Sequence, residues 1–545
     1  MLKNMAEKAR SLLACLALAA LSGVLMGVAY PPFEIDWLIW IALVPLLWVI
    51  RREKRNLHLF LAGFVSGLAF YLFINQPLTS AGGWTGWVVD AAPGAREEII
   101  DRQYVALKLL WLVLSAWCGL FWGTFSLALA RIAKGSLYRM ALVAPPVAIV
   151  VCEWLRSITT WDYQWGFLGN AAVAFAPVAQ IGALGGVWLL SWLVVLVNVG
   201  ILSAFALFEK PRDWPLPAVI LAVLISIIVG GQWRIGAVEK ELSELDEGLD
   251  VAAIQFIQDK TLRSNYTSLG LERAYLEVMR LVARGDTGKI DLIVLPESVA
   301  VGALSIDGST IPEVSGQIQW PVRDWQQAIS WVMEQSREDV DIIIGLDTVS
   351  GGKLHNSLVF WDEGKIHNTY HKQRLVPFSE YQPKILGLLG IRGRMQYTPG
   401  DGSRLASLHG IKIGGFICQE VQIPSVLRQS VRDGAELLVS GGNDGVFGNP
   451  AVARIHANMA QLRAIESGRF MVRAMKTGVS AIISPTGREI SRSDTSNSTV
   501  VVDTVHALRG STVFIKFGNW PIVLALAMLL CWYPALKQRR NVVKA

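Results

Sequence analysis

The chain has 545 residues, of which 52% are hydrophobic and 17% charged, with a mean hydropathy of +0.40. Soluble domains carry about 25% charged residues, so this composition excludes a wholly water-soluble protein, and the length excludes one ordinary domain. The net charge of +6 gathers at the ends of apolar segments, which points to membrane topology and away from nucleic-acid binding.

Residues 11–29 form an apolar run behind Lys3, Lys8 and Arg10. No small-residue cleavage site precedes Tyr30-Pro31-Pro32, so the run is expected to be kept as a helix and not removed as a signal peptide. Further apolar segments cover 36–50, 57–75, 105–131, 139–156, 181–208 and 215–232, and an eighth lies near 519–536. All but the second and the last approach or exceed the length needed to cross about 30 Å of hydrocarbon. Arg51, Arg52, Lys54 and Arg55 follow the second segment, and Arg131, Lys134 and Arg139 separate the fourth from the fifth. Lys210 and Arg212 separate the sixth from the seventh, and Lys537, Arg539, Arg540 and Lys544 end the chain. With the N-terminus inside, all four clusters fall on the cytoplasmic side, as the positive-inside rule requires. The expected organisation is a seven-helix transmembrane domain over 1–232, an outer domain over 240–512 and a C-terminal transmembrane helix over 519–536.

The middle block differs in kind, alternating short β runs with polar helical stretches. Strands are expected at Val251–Ile257, Asp291–Leu295, Asp341–Gly345, Ser357–Trp361, Lys365–Tyr370, Ile411–Cys418, Leu437–Ser440, Phe470–Ala474, Ala481–Ile483 and Thr499–Asp503. Helices are expected at Leu269–Arg284, Trp325–Ser336, Val426–Asp433 and Ala451–Ser467. This alternation predicts a layered α/β domain. Ile385, Leu386, Leu388, Leu389 and Ile391 make Lys384–Met395 an apolar stretch within it. That stretch reads either as core or as an arm dipping into the membrane, with Trp84 and Trp87 as interfacial anchors.

Of five cysteines, Cys15, Cys118, Cys152 and Cys531 lie in apolar stretches, and only Cys418 lies in the polar half. It ends the run Ile411–Ile417, just past Gly414 and Gly415, and Glu420 follows two residues on. A thiol is mostly protonated at neutral pH, so a nucleophilic role needs a base or a cation beside it. Glu297, in Leu295-Pro296-Glu297-Ser298 after an apolar strand, is placed to act as the base. Lys372, in Tyr370-His371-Lys372-Gln373-Arg374 ahead of Glu380, can supply a cation to a thiolate or an oxyanion. The competing readings are a surface acid, a solvated basic turn and a buried bystander thiol. His367 and His371 are too far apart along a strand to form a metal pair, and no metal, cofactor or P-loop site is expected.

Glu, Lys and Cys in this order resemble the nitrilase superfamily. Ser440-Gly441-Gly442-Asn443-Asp444-Gly445-Val446-Phe447-Gly448, Gln461–Arg469, Tyr30–Phe33 and Glu153-Trp154-Leu155-Arg156 extend the likeness to the bacterial apolipoprotein N-acyltransferase family. The resemblance implies an αββα nitrilase-like domain outside the membrane, with Glu297 as proton acceptor, Lys372 beside it and Cys418 as nucleophile. It also implies Glu380 and Glu420 as supporting carboxylates and Asn443 as the asparagine of the family's Asn-Asp loop. The chain departs from the family at Gln419, where an aromatic is usual, at Gly445-Val446, and in the arm Phe256–Arg263, which lacks a tryptophan.

The activity so implied is transfer of an acyl chain from a phospholipid to a diacylated apolipoprotein, through a thioester on Cys418. A monomer in the bacterial inner membrane, with its catalytic domain in the periplasm, is expected. The rival readings are a membrane-anchored amidase that gives the acyl group to water, and a non-enzymatic transporter or scaffold.

Overall fold

The computed structural model describes residues 2–83, 93–133, 144–160, 162–206, 215–245, 248–255, 257, 290–299, 303–309, 319–321, 340–362, 365–377, 379–381, 397–495 and 497–542. Outside them lie the helices expected at Leu269–Arg284 and Trp325–Ser336, the stretch Lys384–Met395, Trp84 and Trp87, and nearly all of the arm over Phe256–Arg263. The chain divides into two units. One takes Met1–Ser80, Glu98–Gly236 and Phe517–Ala545, and the other takes Ala81–Glu97 and Ala237–Lys516.

The first unit is helical. Its helices are α1 (Leu2–Val28), α2 (Val44–Arg52), α3 (Asn56–Ile74), α4 (Pro93–Ala133), α5 (Ala144–Thr159), α6 (Gly182–Ala206) and α7 (Pro215–Ser243), with Trp520–Val542 at the far end of the chain. Parts of α1, α4 and α6, and the whole of α3 and α7, are long and apolar enough to cross a membrane. The segment expected as one helix over 36–50 is interrupted: a 3-10 turn spans Asp36–Trp40 and α2 begins only at Val44. Pro45 sits in the first turn of α2, where its missing N–H is tolerated. The pieces rise about 10 Å and about 13.5 Å, so neither alone matches a bilayer. Buried Asn198 on α6 repairs the break. Its Oδ1 accepts the Leu43 N–H (2.9 Å), and its Nδ2 donates to the carbonyls of Ile39 (3.0 Å) and Val194 (2.8 Å). Irregular backbone survives within an apolar unit only with such partners.

The second unit is a pair of β-sheets. The strands are β1 (Leu249–Gln255), β2 (Leu292–Val294), β3 (Ala303–Ser305), β4 (Gln319–Pro321), β5 (Asp341–Ser350), β6 (Lys353–Asp362), β7 (Lys365–His371), β8 (Leu405–Leu408), β9 (Ile411–Ile417), β10 (Leu437–Gly442), β11 (Met471–Met475), β12 (Ala481–Ile483), β13 (Glu489–Arg492) and β14 (Thr499–Val505). One sheet runs β14-β1-β2-β5-β3-β4, with β6 and β7 continuing from β5, and the other runs β13-β12-β11-β10-β9-β8. All ten expected strands form; β3, β4, β8 and β13, three or four residues each, were too short to show a period. Val251, Val294, Ile343 and Phe360 of the first sheet meet Ile413, Ile417, Val439 and Val472 of the second in one buried core. Alternate residues of the first sheet, Ile254, Ile293, Ile344 and Trp361 among them, bury a second apolar face. Helices α8 (Pro424–Arg432) and α9 (Pro450–Ser467) are covered by the unit, α9 along most of its length. Because both faces of the central strands are buried, they are apolar without alternation.

Gly415 lets the sheets approach. A methyl there would come within 2.9 Å of Leu358 Cδ1 on β6, in the opposite sheet. Gly415 therefore serves the close packing of the two sheets.

Candidate active site

Glu297 lies three residues past β2, Lys372 one residue past β7, and Cys418 immediately past β9. The carboxyl ends of β2, parallel to β1 and β5, and of β9, parallel to β10, thus point into one crevice, where open α/β sheets place ligands. Two of these residues adjoin or hold strained backbone: Ser298, next to Glu297, has φ +50°, and Cys418 itself has φ +53°. Left-handed backbone at a non-glycine residue is unfavourable, and at Cys418 it makes a sharp elbow between β9 and the 3-10 turn Cys418–Gln422.

The four ionisable groups Glu297, Lys372, Glu380 and Cys418 are all buried. Lys372 Nζ donates to Glu380 Oε1 at 2.8 Å and stands 3.6 Å from Glu297 Oε1. Glu380 Oε2 accepts the Val376 N–H (2.7 Å), which fixes that carboxylate. Burial alone would lower the Lys372 pKa. Glu380, then Glu297, more than reverse this, and it stands above its ordinary value. The lysine is a permanent cation.

A residue that sequence reasoning passed over joins the two acids. Asn356 on β6 donates from Nδ2 to Glu297 Oε1 (2.6 Å) and to Glu380 Oε1 (2.9 Å). Its main-chain carbonyl accepts the Lys372 backbone N–H (2.8 Å). An asparagine inside a strand run offers no motif, and only the pairing of β6 with β7 brings it to the site.

Glu420 has a different task. It is fully buried, and its oxygens accept the Ile417 N–H (2.8 Å), the Gln373 N–H (2.8 Å), the Arg374 N–H (3.0 Å) and the Tyr370 hydroxyl (2.8 Å). Burial pushes its pKa up, while Lys372 and these donors oppose the rise. Glu420 ties the elbow after β9 to the turn after β7, and so sets Cys418 against Lys372. Gln419 is half-buried and donates from Nε2 to the Arg374 carbonyl (3.0 Å), adding a second tie between the same two loops.

The Cys418 thiol is pushed well above its ordinary pKa, first by burial and then by the Glu297 charge; Lys372 and the Asn443 backbone N–H pull the other way. The resting site therefore holds a thiol. His371 does not serve it: its Nδ1 pairs with Ser357 Oγ (2.8 Å), and its ring stacks on His355 with centroids 4.2 Å apart. Asn443 caps the turn Asp444–Phe447, accepting the Gly445 N–H (3.1 Å).

Residues 250–512 match the carbon-nitrogen hydrolase family, and residues 22–200 match the apolipoprotein N-acyltransferase N-terminal domain. The chain is 28% identical over 544 residues to the apolipoprotein N-acyltransferase of Gloeobacter violaceus, covering 97% of this chain and 95% of that one. It is 27% identical over 542 residues to that of Chromobacterium violaceum, covering 96% and 95%. To that of Pasteurella multocida it is 26% identical over 543 residues, covering 96% of both. The two-sheet unit is thus of the nitrilase class, an α/β domain carried by a chain with several membrane-length apolar helices. With both domains matched in order and the similarity running nearly end to end, the chain belongs to the apolipoprotein N-acyltransferase family.

Proposed function

We propose that this chain moves an acyl chain from a phospholipid to the α-amine of the diacylglyceryl-cysteine that begins an apolipoprotein, by way of a thioester on Cys418. The observation that carries the reading is the convergence of Glu297, Lys372 and Glu380, buried and joined by Asn356, beside a buried thiol at a strained elbow.

The steps follow from these positions. Glu297 takes the proton of Cys418 as the sulfur attacks the ester carbonyl of the lipid. The oxyanion forms against the Lys372 ammonium and the Gln419 N–H. The carbon–oxygen bond breaks, Glu297 returns its proton to the glycerol oxygen, and the lyso-phospholipid leaves. Glu297 then takes a proton from the incoming amine as its nitrogen attacks the thioester carbonyl. The carbon–sulfur bond breaks, the sulfur regains a proton, and an amide is released. Glu380 orients Lys372, and Glu420 holds the elbow. Two half-reactions on one covalent carrier let two lipid-borne substrates use the site in turn.

The four basic clusters support an inner-membrane protein whose catalytic domain, over 240–512, faces the periplasm. A monomer is sufficient, since every proposed group comes from one chain.

Mass spectrometry of the purified protein incubated with phospholipid tests the thioester. We expect one acyl adduct on the Cys418 peptide, labile to hydroxylamine and discharged by a diacylated peptide to give an N-acyl product. Adduct formation by Cys418→Ala, or release of free fatty acid with no N-acyl peptide, would overturn the proposal, the second outcome in favour of a hydrolase.

A further inference from the structure

One buried charged cluster next to the nucleophile takes no part in the steps above. Asp444, His456 and Arg473 are each almost completely buried. His456 Nδ1 donates to Asp444 Oδ1 at 2.7 Å, and Arg473 Nη2 donates to Asp444 Oδ2 at 3.2 Å. Arg473 also donates from Nε to the Val479 carbonyl (3.1 Å), which anchors the guanidinium to the turn after β11. Helix α9, strand β11 and the loop after β10 thus meet on one carboxylate.

That loop touches Cys418. β10 runs beside β9 with Gly441 opposite Ile417, so Gly442 and Asn443, the residue before Asp444, follow alongside Cys418, and the Asn443 backbone N–H pulls the thiol pKa down against burial. The fit is tight: a methyl at Gly442 would lie 3.3 Å from Cys418 Cα, and one at Gly478 would lie 3.0 Å from Asp444 Oδ2. A backbone N–H can stabilise a thiolate only if it is held in line, and an unanchored loop would lose it first.

We propose that Asp444, gripped by His456 and Arg473, is a positioning residue that keeps the Asn443 N–H on the Cys418 sulfur and so favours the thiolate. The inference rests on the reading of Cys418 as nucleophile, but it concerns how readily that sulfur ionises and not what it acylates.

Charge and position make opposite predictions here. Cys418 faces Glu297 from beyond β2, Lys372 from beyond β7, Asp444 from beyond β10 and Arg473 from β11. As a bare negative charge, Asp444 disfavours the thiolate, so its removal would lower the thiol pKa. As a positioning residue its loss raises it.

The test follows alkylation of Cys418 by iodoacetamide against pH in the full-length, detergent-purified protein, read on the Cys418 peptide so that the other four cysteines do not interfere. We expect Asp444→Ala to move the midpoint upward by about one unit, which is tenfold slower alkylation below the midpoint. Asp444→Asn, which keeps a side-chain oxygen, should move it less. A midpoint that falls or stays put in Asp444→Ala overturns the proposal. Should that variant not fold, Arg473→Lys decides: it keeps the charge but loses the fork, and only positioning predicts an upward shift. Failure of the acylation reading would appear separately, as absence of the lipid adduct in the unmodified chain.

Discussion

Two regions bury charged side chains, and they use them in opposite ways. In the helical unit, Glu153 and Arg156 on α5 turn toward backbone. Glu153 accepts the Leu168 N–H (2.8 Å), and Arg156 donates to the carbonyls of Tyr163 (3.2 Å) and Trp165 (2.9 Å). The guanidinium also lies over the rings of Phe167 and Tyr71, 4.6 and 5.0 Å from their centroids. Tyr30 and Tyr71 donate to the carbonyls of Phe167 (2.5 Å) and Gly166 (3.2 Å), and the Tyr163 hydroxyl donates to Asn75 (2.6 Å). The whole cluster holds one irregular loop in an apolar setting. In the two-sheet unit, Glu297, Lys372 and Glu380 turn instead toward one another and a thiol. Charges spent on backbone fix a shape. Charges aimed at each other beside a reactive atom can exchange a proton.

Substitutions should separate the two uses. The largest effects fall on chemistry. Glu297→Gln should slow adduct formation by about 10²–10⁴-fold, the usual worth of a general base. Lys372→Met should slow it by about 10²–10³-fold through the lost oxyanion contact. Glu297→Gln should stay folded in detergent, while Lys372→Met also strips two buried carboxylates of their cation and is read on the fraction that remains folded; adduct formation at wild-type rate by either would break the comparison. Arg156→Met should do the reverse. It leaves the buried carbonyls of Tyr163 and Trp165 without their donor and should destabilise the helical unit by roughly 1–3 kcal/mol, read as a lower unfolding midpoint. The fraction that remains folded should form the adduct at the wild-type rate.

Asn356→Ala should fall between. Removing hydrogen bonds to charged groups costs about 1.5–3 kcal/mol, which is roughly 10–100-fold in rate at 1.4 kcal/mol per decade. The loss should appear in kcat, since Asn356 acts through Glu297 and Glu380. A change confined to stability would assign Asn356 to architecture.

What could be read from the sequence divides along the same line. Glu297 and Cys418 follow strands apolar enough to recognise, and Lys372 follows the β run Lys365–Tyr370, so their order along the chain was visible. The partners that orient them were not. Asn356 sits mid-strand with nothing to distinguish it from a surface asparagine. The links from Asp444 to His456 and Arg473 span 12 and 29 residues, distances that only the packing of α9 and β11 closes. The interruption of 36–50 was hidden for a related reason, because hydropathy measures apolar length and is blind to the Asn198 side chain that satisfies the break. In the outer sheet positions, β3 and β4 have three residues each, fewer than two full periods of alternation.

The smallest expected effect concerns a pair that belongs to neither use. His355 and His371 stack near the start of the Lys372 turn, His355 Nδ1 donating to the Thr398 carbonyl (2.8 Å) and His371 pairing with Ser357. Burial, then the neighbouring His355, pushes the His371 pKa down to about 4. The unfolded chain, with a histidine near 6.5, therefore binds more protons than the folded one between about pH 6.5 and 4. Stability from this ring is full above that window and is lost as the pH falls through it. Discounted for the partly exposed ring, the loss should be about 1 kcal/mol. Thermal unfolding in detergent at pH 7 and pH 5 measures it, and His371→Gln should flatten the difference. If the variant instead slowed Cys418 acylation at pH 7 by tenfold or more, this pair would have to move from the margin of the site into its chemistry, and the division between shape-holding and proton-handling charges would need a third member.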